Sequence, residues 1–162
     1  MKEIKYKPIG VIHSPFKKPH GTPIQPVGGK DVGGTVEVFE EYKKGLKDIE
    51  GFSHIILLFH LHLAKKYKLQ AIPFMDNVKR GIFAIRGPSR PNPIGLSVVR
   101  LIKVKDNVLQ VKDLDILDNT PLLDIKPYIP KIDAKKNTKV GWLKNKDKRF
   151  SSKRADRRFS DK

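Results

Sequence analysis

The chain has no cysteine, so disulfides and thiolate metal sites are excluded and an intracellular setting fits. Aromatic residues make up only 8%, with a single tryptophan. A membrane-spanning run is lacking too. The most apolar stretch, His54–Ala64, is too short to cross a bilayer and carries three histidines. The opening Met1–Ile12 has no apolar core of a secretory signal, so a soluble cytoplasmic protein without a membrane partner is expected. Acidic residues are scarce: 17 Asp and Glu stand against 34 Lys and Arg, a formal charge of +17. Such an excess suits a polyanionic partner, nucleic acid above all. It is concentrated at the end, where Lys131–Lys162 holds 13 Lys or Arg against 4 Asp.

What is present reads as strands. Ile4–Ile12 is rich in β-formers but interrupted by Pro8, which suits an edge strand. Thr35–Phe39 alternates cleanly, and Glu40–Ile49 is the best helix candidate despite Gly45. In Phe52–Leu63 a period of two places Ile55, Leu57, Phe59, Leu61 and Leu63 on one core-facing side. His54, Ile56, Leu58, His60 and His62 share the other. Gly81–Ile85, Leu96–Val104 and Val108–Ile116 follow, the last two joined by the turn Lys105-Asp106-Asn107, and then Leu122–Ile125. Many short strands and one weak helix predict an all-β fold, a small barrel with few short helices. Residues 1–143 would form the barrel. Residues 144–162 are too polar to fold alone and are expected as a flexible basic tail.

Three clusters could carry chemistry. The segment R-G-P-S-R-P-N-P-I-G, Arg86–Gly95, packs three prolines, two glycines and two arginines into ten residues. The prolines remove backbone freedom, which lowers the ordering cost of binding. Arg86 and Arg90 would then present guanidinium forks to carboxylate or phosphate. The second cluster, Asp113–Pro130, sets aspartates among apolar residues and could serve a ligand or cap a turn. The third is the pair His60 and His62. A zinc site needs a further ligand that the spacing does not supply, so lining a pocket is favoured over metal.

These segments in this order resemble the TrmO (TsaA-like) family: I-G-V-I-H-S-P-F, T-P-I-Q-P, F-S-H-I-I-L-L-F-H-L-H, G-I-F-A-I-R-G-P-S-R-P-N-P-I-G-L-S and L-D-N-T-P-L-L-D-I-K-P-Y-I-P. The resemblance implies a homodimeric β-barrel that uses S-adenosylmethionine to methylate tRNA. The target it implies is N6 of threonylcarbamoyl-adenosine at position 37 in the anticodon loop. Carried onto this sequence, the cofactor site would comprise Pro23, Ile24, Gln25, His62, Leu63, Arg86, Leu96, Asp115, Leu117, Asp118, Asn119 and Thr120. His62 and Asp118 are the candidate proton acceptors in catalysis. The chain departs from the family pattern at Ile24 (commonly arginine), Leu63 (commonly polar), Gly87 (commonly serine) and Asn119 (commonly glycine). Asn119 can still adopt the left-handed backbone of a glycine. Arg90 would face nucleic-acid phosphate, and Phe150 and Phe159 in the tail would stack on RNA. The tail is expected to serve tRNA alone, leaving cofactor affinity untouched. A noncatalytic RNA-binding barrel is the chief rival, and a barrel enzyme acting on a small molecule is a third reading.

Overall fold

The computed structural model describes residues 3–146 and 149–159. Six strands close into an antiparallel barrel: β1 (Gly10–His13), β2 (Gly34–Val38), β3 (His54–His60), β6 (Ile94–Lys105), β7 (Val108–Lys112) and β8 (Thr120–Pro127). The spatial order is β1-β2-β7-β6-β3-β8, with β8 returning to β1, so no barrel strand is left with a free edge. β4 (Gln70–Ala71) and β5 (Arg80–Gly81) pair separately, and a one-turn helix α1 (Pro130–Asp133) follows the barrel.

The alternation in β3 decides which side faces in. Ile55 and Leu57 are fully buried and Phe59 is 6% exposed, while residues between them are half-buried. Leu57 sits opposite Ser97 on β6 and Ile125 on β8, which centres β3 in the wall. Ile12, Val36, Val99, Leu109, Leu114 and Leu122 fill the same interior. Truncating one of these leucines to alanine costs about 2–5 kcal/mol, because a closed wall cannot collapse onto the void.

Several expected elements differ. The first strand begins only at Gly10, beyond Pro8, although Ile9 still bonds the carbonyl of Leu122. Glu40–Ile49 forms no α-helix but two short 3₁₀ turns, Glu40–Leu46 and Ile49–Gly51, with Asp48 left-handed (φ 66°) between them. Neither turn has a side-chain cap, and Gly45 adds flexibility where a helix would need propensity. Gly81–Ile85 is strand only to Gly81, then a 3₁₀ turn over Ile82–Ala84. β3 stops at His60, where the amide of His62 turns back to the carbonyl of His60 at 2.8 Å. Leu63 therefore leaves the expected inner face and is 47% exposed, and His62 no longer shares a strand with His60. β7 likewise ends at Lys112, since Asp113 is left-handed (φ 69°).

Of the basic segment 144–162, Asp147, Lys148 and Ser160–Lys162 fall outside the described residues. Arg149–Phe159 lies along the loops at one end of the barrel, where Arg154 bridges Pro23. Among the described residues no helix is long and apolar enough to cross a membrane.

Candidate cofactor site

Between β3 and β6 the chain makes a long excursion carrying β4 and β5. It packs Ala71, Ile82 and Ile85 into a second apolar cluster with Trp142 and Phe159. Asp76 anchors this platform by accepting from Arg80 at 2.7 Å and pairing with Lys146 at 2.9 Å. Those two cations hold its carboxyl well below the usual carboxylate range. The Pro-rich loop departs from the platform with its two arginines in different roles. Arg90 turns inward and donates to the carbonyls of Ile82 (3.0 Å) and Ile85 (2.7 Å), so it braces the loop instead of facing phosphate. Carbonyls ending the 3₁₀ turn need partners, and a guanidinium supplies two bonds at once. Arg86 stays exposed and donates to Oε1 of Gln25 at 2.8 Å.

Gln25 belongs to the loop Pro23–Gly29, which is seated on the stretch after β7. Gly29 approaches the Leu114 carbonyl so closely that no side chain would fit. The next residue, Asp115, accepts a 2.6 Å hydrogen bond from the buried hydroxyl of Ser97. Asp115 keeps some exposed surface, yet the protein packed around its carboxyl pushes its pKa up to about 6. The Ser97 hydroxyl and the nearby Arg86 charge offset only part of that burial effect.

A cavity of about 600 Å³ opens beside the Gln25–Arg86 pair, lined by Ile24, Gln25, Arg86, Phe74, Trp142 and Phe159 among others. That volume is within the roughly 300–1,000 Å³ typical of small-ligand sites. Sequence reasoning missed its aromatic wall. Phe74, Trp142 and Phe159 lie far apart in the chain, and the available signal was a few large aromatics set in polar surroundings.

The remaining expected residues divide into groups. Thr120 donates to the carbonyl of Leu117 at 2.7 Å and lies 3.3 Å from Nδ1 of His62. With its only proton spent on Leu117, Thr120 accepts from Nδ1–H, leaving Nε2 of His62 as the basic nitrogen. Burial, with a smaller effect from His60, lowers the His62 pKa and favours neutral imidazole. Asp118 accepts from Lys17 Nζ at 2.6 Å and from the Ser14 amide at 3.0 Å, and chiefly the Lys17 bond lowers its pKa. Asn119 is left-handed (φ 57°), as its glycine-like place requires, and its amide donates to Asp118 at 3.0 Å. Leu63 and Leu96 point outward, Leu96 at 51% exposure on the outer face of β6 opposite Leu58. Thus Ile24, Gln25 and Arg86 line the cavity and Asp115 lies within Coulombic reach of Arg86, whereas His62 with Leu117–Thr120 forms a separate cluster that does not line it. Among the described residues no group of three His, Asp or Glu is arranged to hold a metal ion.

Fold and site together define a small closed β-barrel whose loops build an aromatic-walled cavity with Arg86 in its lining. A family model described as the tRNA-methyltransferase O N-terminal domain matches residues 11–134. A probable S-adenosyl-L-methionine-binding protein of Pyrococcus abyssi is 56% identical over 156 residues, covering 96% of this chain and 85% of that one. The tRNA (adenine(37)-N6)-methyltransferase of Escherichia coli is 37% identical over 140 residues, covering 80% of this chain and 60% of that protein. The crystal structure of TrmO from Pseudomonas aeruginosa superposes with a TM-score of 0.74 at 36% identity; the match covers 87% of this chain and 63% of that one. The chain belongs to the tRNA-methyltransferase O family.

Proposed function

We propose that this chain is an S-adenosylmethionine-dependent tRNA methyltransferase acting on N6 of threonylcarbamoyl-adenosine at position 37. The observation that carries the reading is the Arg86–Gln25 pair at the rim of an aromatic-walled cavity, on a loop that Arg90 and three prolines hold rigid. The donor set fits the cofactor. Arg86 suits its carboxylate, and Phe74 and Trp142 offer apolar faces to its purine. When bound, S-adenosylmethionine supplies a methyl group already activated on a sulfonium.

The chain's own residues then have two tasks. One is to hold the two reactants aligned, which a stiff loop does at low entropic cost. The other is to take a proton from an amide-like nitrogen that is a poor nucleophile. The surroundings favour His62 as acceptor, because Thr120 fixes its tautomer and burial keeps it neutral. Asp118 supports the same turn from below: its bonds to Lys17, Ser14 and Asn119 hold Leu117–Thr120 in place. Its lowered pKa makes it a weak base, so positioning is the role we assign it.

tRNA is the partner that the +17 charge suits, with residues 144–162 adding attraction to the barrel of residues 1–143. The outer face of β3 and β6 carries Ile56, Leu58, Ile94 and Leu96, an apolar strip suited to a second copy in a homodimer. The setting is the cytoplasm. Incubating the protein with methyl donor and tRNA containing threonylcarbamoyl-adenosine, then analysing nucleosides by mass spectrometry, should show that nucleoside gaining one methyl. RNA binding with no methyl gain and no cofactor binding would mark the chain as a noncatalytic RNA-binding barrel.

A further inference from the structure

The basic segment has a place in the site that its charge does not suggest. Arg149–Phe159 contributes Phe150 and Phe159 to the lining of the cavity. Past its middle it is tied to the first loop: the amide of Ala155 donates to the carbonyl of Thr22 at 2.8 Å, and the Gly21 amide donates back to the Ala155 carbonyl at 2.9 Å. At its end it is tied to the excursion between β3 and β6. Arg158, paired with Asp156 at 2.7 Å, donates to the carbonyls of Pro73 and Asp76 and lies over the Phe74 ring at 5.5 Å. Phe159 meets Phe74 edge-on at 5.0 Å and packs on Ala71, Ile82 and Ile85. One stretch of chain thereby links the loop bearing Gln25 to the platform bearing Arg86.

The fit at Gly87 is close. A Cβ added there would lie 2.9 and 3.0 Å from the outer ring atoms of Phe159, so the ring would have to shift. Glycine at position 87 leaves room for the ring. Phe159 is thus engaged in the wall and is not free to stack on RNA.

We propose that Arg149–Phe159 is a clasp that completes the cofactor cavity, with Phe159 as a positioning residue that sets the spacing of Gln25 and Arg86. The proposal rests on the cofactor reading above and deepens it. Phe159 is itself part of the cavity wall and also braces Phe74, Ile85 and Gly87 around it. Its loss lowers the fraction of molecules with the cavity closed, and apparent affinity falls by that fraction. Gly87→Ser acts from the opposite side by displacing the ring.

The test uses the full chain and calorimetric titration with S-adenosylmethionine. Phe159→Ala and Gly87→Ser should each weaken binding by about tenfold or more. The double variant should be little worse than either alone, since both remove one contact. Phe159→Leu, which keeps an apolar side chain, should recover most of the affinity. A second readout needs no ligand: acrylamide quenching of the single Trp142 should rise in Phe159→Ala, because Trp142 lines the same cavity. Unchanged affinity and unchanged quenching in Phe159→Ala and Gly87→Ser would overturn the clasp while leaving the cofactor assignment standing. Failure of the unaltered chain to bind S-adenosylmethionine would overturn that assignment, and the clasp with it.

Discussion

Asp115 is held against its own preference, and replacing it should stabilise the protein. Burial raises its pKa from 3.8 to about 6. Keeping the carboxyl ionised at neutral pH therefore costs the folded state about 3 kcal/mol. The sign follows from the order of the two values. The folded carboxyl binds its proton more tightly than the unfolded one, so its contribution is fully present below pH 3.8 and is lost as pH rises through about 6. Asp115→Asn keeps the size and can still accept the bond from Ser97, but has no charge to desolvate. At pH 8 the variant should gain up to about 3 kcal/mol, or roughly 6–12 °C in Tm for a chain of this size. Below pH 4 the gain should vanish. Thermal melts across that range, read by circular dichroism, measure it directly. A variant no more stable than the parent at pH 8, or offset equally at both ends, would refute the account of a strained carboxylate. A gain in stability with a loss of cofactor binding is the pattern expected where a site retains an unfavourable charge for its function.

Arg86→Ala should weaken S-adenosylmethionine binding by about tenfold to a hundredfold, the worth of a charged hydrogen bond, with calorimetry as the measure. Arg90→Met should lower stability by about 1–3 kcal/mol by leaving the Ile85 carbonyl without its side-chain donor and the Ile82 carbonyl with only the long 3.4 Å bond from the Ile85 amide, which denaturant unfolding will show. Because burial lowers the His62 pKa, methylation should hold its rate below the ordinary imidazole range and fall only in more acid buffer. Thr120→Val should remove the lock on the His62 tautomer, which nitrogen NMR of the imidazole detects.

The barrel was legible because period-two patterns are local: Thr35–Phe39, Leu96–Val104 and the Asp106 turn needed no tertiary information. Asn119 was also readable, since a polar residue in a glycine-like place has few other ways to sit. The misjudged elements are those whose ends depend on distant partners. Glu40–Ile49 has helical composition but no cap, and β3 ends where His62 turns back to His60. Arg90 looked free because its partners are carbonyls, which sequence does not distinguish from one residue to the next.

The sequence by itself determined the centres of the barrel strands and their inward alternation, the cationic character and the proline-restricted backbone of the Arg86–Gly95 loop, all of which follow from residue type and spacing along the chain. Only tertiary structure decided that Gln25 meets Arg86, that Ser97 and Asp115 share a proton-sensitive bond, and that Phe159 fills the space left at Gly87. Those pairs are separated by 61, 18 and 72 positions. Their contact energies exist only after the barrel has closed and brought its loops to one end.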